Sequence, residues 1–122
     1  MDVLFEFSGL NVEAQFNGTG TAEVIYNALP MESAVNRWGD EIYFEIPAKL
    51  GPEEATLELN VGDIGYWPQG SCLCLFFGRT PASINERPRP ASEVNLVGTF
   101  SASPEVLRKV RAGSKVRVLK RA

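Results

Sequence analysis

Glu41, Tyr43 and Glu45 are spaced two residues apart, so an extended chain puts them on one face. Arg37 and Trp38 precede them across a Gly39-Asp40 turn, and a hairpin there brings Arg37 or Trp38 beside that face. A carboxylate next to an arginine can move a proton or hold a polar ligand. It can equally be an exposed cross-strand ion pair of little energetic value. The plain reading suits Glu45, and Glu41 stays a candidate site residue. Tyr66 and Trp67, just before a Pro-Gln-Gly turn, add large rings with polar tips of the kind that suit a wet, semi-open pocket.

Other chemistry is thinner. The sequence has no histidine, which removes Ser-His-Asp and Cys-His catalysis and most zinc and non-haem iron sites. Cys72 and Cys74 place two thiols on one strand face, without a third cysteine to complete a metal site. A disulfide between them would be strained, so both read as small core residues. "GTGT" at 18–21 precedes a helix but lacks the lysine of a phosphate loop and the third glycine of a dinucleotide fingerprint. It reads as a turn and cap. No metal or cofactor is expected.

These residues need a scaffold, and 122 residues predict one domain spanning 1–122. Alternation predicts strands at 3–7, 11–17, 32–38, 41–47, 56–60, 63–67, 71–77, 94–100 and 115–121, several of them short. A helix capped by Thr21 presents Ala22, Ile25, Ala28 and Leu29 and stops at Pro30. A second begins with Ser103 as cap and Pro104 at its first position, carries Val106, Leu107 and Val110, and ends before Gly113. Residues 78–92 form a long loop stiffened by Pro81, Pro88 and Pro90, and loops of that length are usually functional or mobile. A mainly β chain of about eight strands with hairpin connections predicts a closed barrel, with two helices capping its ends.

One strand resists the simple pattern. In "SCLCLFF" at 71–77, Cys72, Cys74 and Phe76 share one face while Leu73, Leu75 and Phe77 share the other. One triplet can fill the barrel. The other needs a cover, which the pattern leaves open between a pocket ligand, the N-terminal helix and a second copy of the chain.

Charge is asymmetric along the chain. Twelve of fifteen acidic residues lie in 1–63, and seven of twelve basic residues lie in 108–121. With a net charge of −3, a solvated face is favoured over a nucleic-acid surface. The start of the sequence has no basic leader pattern and no apolar run is long enough for a membrane span, so a cytoplasmic protein is expected.

"VNRWGDEIYFEIP", "GDIGYWPQGSCLCLFFGRTP" and "VNLVGTF" resemble the cyclophilin-like family of small bacterial and archaeal proteins. The resemblance covers nearly the whole chain and implies a closed cyclophilin-like β-barrel with two capping helices, but no established activity. Its relation to the prolyl isomerases is more distant. There "LFFG" matches a pocket strand, which puts Phe77 at the pocket phenylalanine and Arg37 near the arginine that contacts the substrate carbonyl. The resemblance breaks at Leu75 and Val94, where a pocket glutamine and histidine are expected, and in the 78–92 loop, which lacks a tryptophan.

Three functions follow as expectations. The first is a binding module in which Tyr43, Tyr66, Trp67 and Phe77 form an aromatic groove, with Arg37 and Glu41 supplying charge, for a peptide segment or a small molecule, including an acidic one. The second is a weak prolyl isomerase with Arg37 and Phe77 as catalytic residues. The third, implied by the resemblance alone, is a subunit of a larger enzyme of the 5-oxoprolinase type. A homodimer or another protein partner is compatible with the apolar strand.

Overall fold

Alternating sequence becomes alternating burial wherever a strand has one wet face. Val3, Phe5 and Phe7 point inward from β1 (Asp2–Phe7), and Val12, Ala14 and Phe16 do so from β2 (Leu10–Phe16). The computed structural model describes residues 1–121. It continues with α1 (Gly20–Asn27), β3 (Met31–Ala34), β4 (Asn36–Arg37), β5 (Glu41–Glu45), β6 (Asp63–Trp67), β7 (Cys72–Phe76), β8 (Asn95–Ser101), α2 (Pro104–Leu107) and β9 (Lys115–Lys120).

Among the described residues, nine strands form one antiparallel sheet in the order β3-β9-β1-β2-β8-β6-β7-β5-β4. Its two edge strands, β3 and β4, are neighbours in sequence, so the sheet curls round on itself. Across the seam, Ser33 Oγ of β3 donates to the Glu45 carbonyl of β5 at 2.6 Å. The result is a nearly closed barrel. Its interior holds Phe5, Ile42, Phe44, Leu73, Leu75, Phe77 and Val116, among others. Each such side chain contributes roughly 1.5–3 kcal/mol by leaving water. Neither helix is long and apolar enough to cross a membrane.

The expected strand at 32–38 is two strands. Val35 is buried, its N–H donates to the Ser114 carbonyl, and its carbonyl accepts from Gly113. Beyond it the chain exchanges β9 for β5 as its partner. The expected strand at 56–60 reduces to a single bridge between Thr56 and Val94, because Leu59 turns down onto the sheet instead of continuing a ladder.

The helices start close to the expected residues but are capped differently. Thr19, not Thr21, caps α1, its hydroxyl accepting from Ala22 N at 3.2 Å. Thr21 is buried within the first turn, where its hydroxyl donates to Glu53 Oε1 at 2.6 Å. Ser103 and Pro104 do start α2, which is only one turn long. Lys109 and Val110 then make tighter bonds to the carbonyls three residues back. Ile25 of α1 and Leu107 of α2 both enter the barrel's interior cluster.

Candidate functional site

Strand register decides which face of β7 is inside. Tyr43 of β5 and Gly65 of β6 both lie opposite Cys74, while Phe44 and Tyr66 lie opposite Leu73. The second pair belongs to the interior, so Leu73, Leu75 and Phe77 fill the barrel and Cys72, Cys74 and Phe76 face out. The cover over that outer face comes from the chain itself. Leu59 and Val94 close over the triplet, joined by the Thr56–Val94 bridge, and Gly62 N donates to the Phe76 carbonyl at 2.8 Å. Neither α1 nor a second copy is needed there.

The cover is incomplete at one end, which leaves a hollow of about 190 Å³. Cys74 forms its floor. Glu41 and Tyr43 rise from β5, Trp67 from β6 and Trp38 from the turn before β5, while Pro90, Ala91 and Val94 close the far side. Trp38 is fixed by the hairpin, in which its N–H and carbonyl exchange bonds with Glu41. Trp67 is fixed from two directions. Its indole N–H donates to Ser92 Oγ, and its ring lies over Gly70, where an added Cβ would come within 2.5 Å of ring carbons. Gly65 serves the floor similarly, since a Cβ there would meet Val94 Cγ2 at 2.7 Å.

Glu41 sets the electrostatics. It is 6% exposed, and burial raises its carboxyl from 4.5 to about 7, with a hydrogen bond from the Cys74 thiol opposing part of that rise. No cation of the described residues forms an ion pair with it. The thiols shift the same way. Burial pushes Cys72 up to about 11 and Cys74 well above the ordinary range, with Glu41 adding to both. Both are protonated at neutral pH and poor nucleophiles.

The structure brings Glu41, Tyr43 and Trp67 together and separates Tyr66, Arg37 and Phe77 from them. Tyr66 points into the barrel because it alternates with Trp67. Its hydroxyl donates to the Ala48 carbonyl at 2.7 Å and accepts from Leu50 N at 3.0 Å, which pins the loop after β5. Phe77 is 1% exposed, one residue past β7 on the interior face. Arg37 does meet Phe77, its guanidinium 5.3 Å from the ring centroid. It also donates to the carbonyls of Val110 at 2.8 Å, Gly39 at 3.1 Å and Arg108 at 3.2 Å. The bonds to Arg108 and Val110 close off the end of α2, where a cation is favoured. The aromatic groove expected from Tyr43, Tyr66, Trp67, Phe77 and Arg37 is therefore replaced by a smaller hollow whose one charge-bearing side chain is acidic. The closing loop residues escape the sequence pattern, because loop residues carry no periodicity. Trp38 shows one signal, its proximity to the Glu41 face.

The family model described as Cyclophilin-like matches residues 1–119. A hypothetical protein of Archaeoglobus fulgidus, known from its solution structure, is 35% identical. The two superpose with a TM-score of 0.83, over 99% of this chain and 95% of that one. Among curated proteins, none matches. The blocks around the hollow, the barrel that carries them and this match over almost every residue agree: the chain belongs to the cyclophilin-like family.

Proposed function

We propose that the protein is a binding module that takes a peptide segment or a small molecule in the hollow formed by Trp38, Glu41, Tyr43 and Trp67. One observation carries the reading: a carboxyl group is held under apolar cover with an aromatic hollow in front of it and, among the described residues, no cation paired with it. Burying a carboxyl destabilises a fold unless something compensates. A bound partner supplies that compensation. The hollow is smaller than the roughly 300–1,000 Å³ of drug-sized sites, so it suits one side chain or head group rather than a whole cofactor.

The chain has two tryptophans, and both line the hollow. Intrinsic fluorescence therefore reports on this site alone. Titrating short aromatic, prolyl and charged peptides, together with small amines, acids and neutral fragments, is expected to quench or shift the emission for at least one class. Indole N–H signals that stay unmoved across the whole panel would defeat the proposal.

The isomerase reading has less support. Arg37 and Phe77 are adjacent, but Phe77 is enclosed and the guanidinium is engaged by three carbonyls. A protease-coupled assay on an X-Pro peptide is expected to show the uncatalysed rate. Catalysis abolished by Arg37→Ala would reverse that preference.

A further inference from the structure

The groups around the hollow select a ligand by charge. Trp38, Tyr43 and Trp67 supply three half-buried aromatic side chains from three places in the fold. The negative faces of such rings attract a cation placed over them, more strongly when it is out of water. Among the described residues, the protein's own cations lie over other rings: Arg37 over Phe77 and Lys120 over Tyr26. The rings of the hollow are thus unclaimed, and beside them stands Glu41, 6% exposed and without an ion-pair partner.

We infer that the hollow is a cage for an alkylated ammonium head group, with Trp38, Tyr43 and Trp67 around the cation and Glu41 as its counter-ion. This rests on the reading of the hollow as a ligand site and adds the sign and chemistry of the ligand.

Two alternatives fit less well. An anion would face the Glu41 carboxylate. A primary ammonium has three N–H donors to satisfy, and apart from one carboxylate the walls are mainly rings, proline, alanine and valine. A methylated ammonium has few or no N–H donors, spreads its charge over methyl groups and needs only aromatic faces and one distant negative charge. Its size also suits a space of about 190 Å³. The head group can belong to a free small molecule or to a methylated lysine on a peptide, since both present the same chemistry.

The pH dependence follows from the carboxyl. The other titratable side chains on these faces are Tyr43 and Glu45 of β5, Cys72 and Cys74 of β7 and Asp63 at the start of β6, whose carboxylate accepts from Asn60 N at 2.8 Å. Trp67 of β6 and Pro90, Ala91 and Val94 of the closing loop carry no titrating group. A cation favours ionised Glu41, so affinity increases as pH rises through about 7 and binding releases a proton below that value.

The test compares choline with 3,3-dimethylbutan-1-ol, its neutral isostere, by tryptophan fluorescence and calorimetry at pH 8. Choline is expected to bind at least about tenfold tighter, a preference equivalent to about 1.4 kcal/mol. Glu41→Gln keeps the side chain's shape and is expected to erase the preference. Trp67→Ala, checked for folding by circular dichroism, is expected to weaken both ligands. A peptide carrying trimethyl-lysine, set against the unmodified peptide, separates the two sources. Equal binding of choline and the neutral isostere overturns the cation inference and leaves the binding-module reading intact. No binding of choline, tetramethylammonium or the methylated peptide also overturns it, and the broader panel then decides whether the hollow binds anything.

Discussion

Glu41 is where a single residue has the largest predicted consequence. Its carboxyl titrates near 7 in the folded protein and near 4.5 when exposed. Between those values the folded protein keeps a proton that the unfolded chain has lost. Stability is therefore full below about pH 4.5 and falls as pH rises through about 7. Glu41→Gln removes this dependence and is expected to stabilise the protein at pH 8 by on the order of 3 kcal/mol. Urea unfolding midpoints across pH measure it, and a pH-independent wild type would contradict the assignment. The cysteines give a second prediction. Native protein at pH 8 is expected to leave both thiols unmodified by Ellman's reagent, while urea exposes them, because both are buried and protonated. Arg37 gives a third. Truncation to alanine removes bonds to three carbonyls and is expected to cost about 2–3 kcal/mol, with Arg37→Lys recovering only part, since a lysine lacks the fork. Its position in the sequence shows a charge near the Glu41 face. That the charge turns away depends on where α2 ends, more than seventy residues later.

Among the elements, β5 shows what can be read from sequence. Strict alternation separates Ile42 and Phe44 from Glu41 and Tyr43, and the structure keeps that division. β7 shows where reading stops. Both its faces are equally apolar, so hydrophobicity alone cannot orient it, and the decision belongs to its register with β5 and β6. Once the register is known, Tyr66 and Trp67 part company and Phe77 goes inside. The cover follows different rules. Leu59 and Val94 lie 35 residues apart in sequence and meet over the same three side chains. Contacts of that kind leave no periodic trace. Glycine at 65 is part of this fit. Gly65→Ala is expected to force Val94 outward and cost roughly 1–3 kcal/mol of overpacking, with a change in the Trp67 emission as the hollow deforms. Unaltered emission and stability would mean that the cover yields freely.

For the molecule as a whole, the charge asymmetry along the chain is partly offset in space. β9 lies between β1 and β3, so late basic residues meet early acidic ones. Arg117 reaches Glu6 at 3.2 Å and Glu32 at 3.3 Å, and Arg121 reaches Glu13 at 3.1 Å. These pairs are exposed and individually worth little, and they give several of the late basic residues acidic partners within the chain. The barrel itself could be anticipated from strand count and the family blocks. Its incomplete closure could not, because Val35 is an ordinary strand residue until its backbone is seen changing partners. Across that gap a serine hydroxyl stands in for a ladder of amide bonds. Amide protons bordering it, in β3 and on the outer edge of β5, should therefore exchange with solvent sooner than those of β1 or β8. Tyr43 of the hollow lies on the same strand as Glu45, two residues from the lip of this gap. Filling the cage ought to brace the lip, so that occupancy becomes measurable as retarded deuterium uptake on a stretch of backbone the ligand never touches.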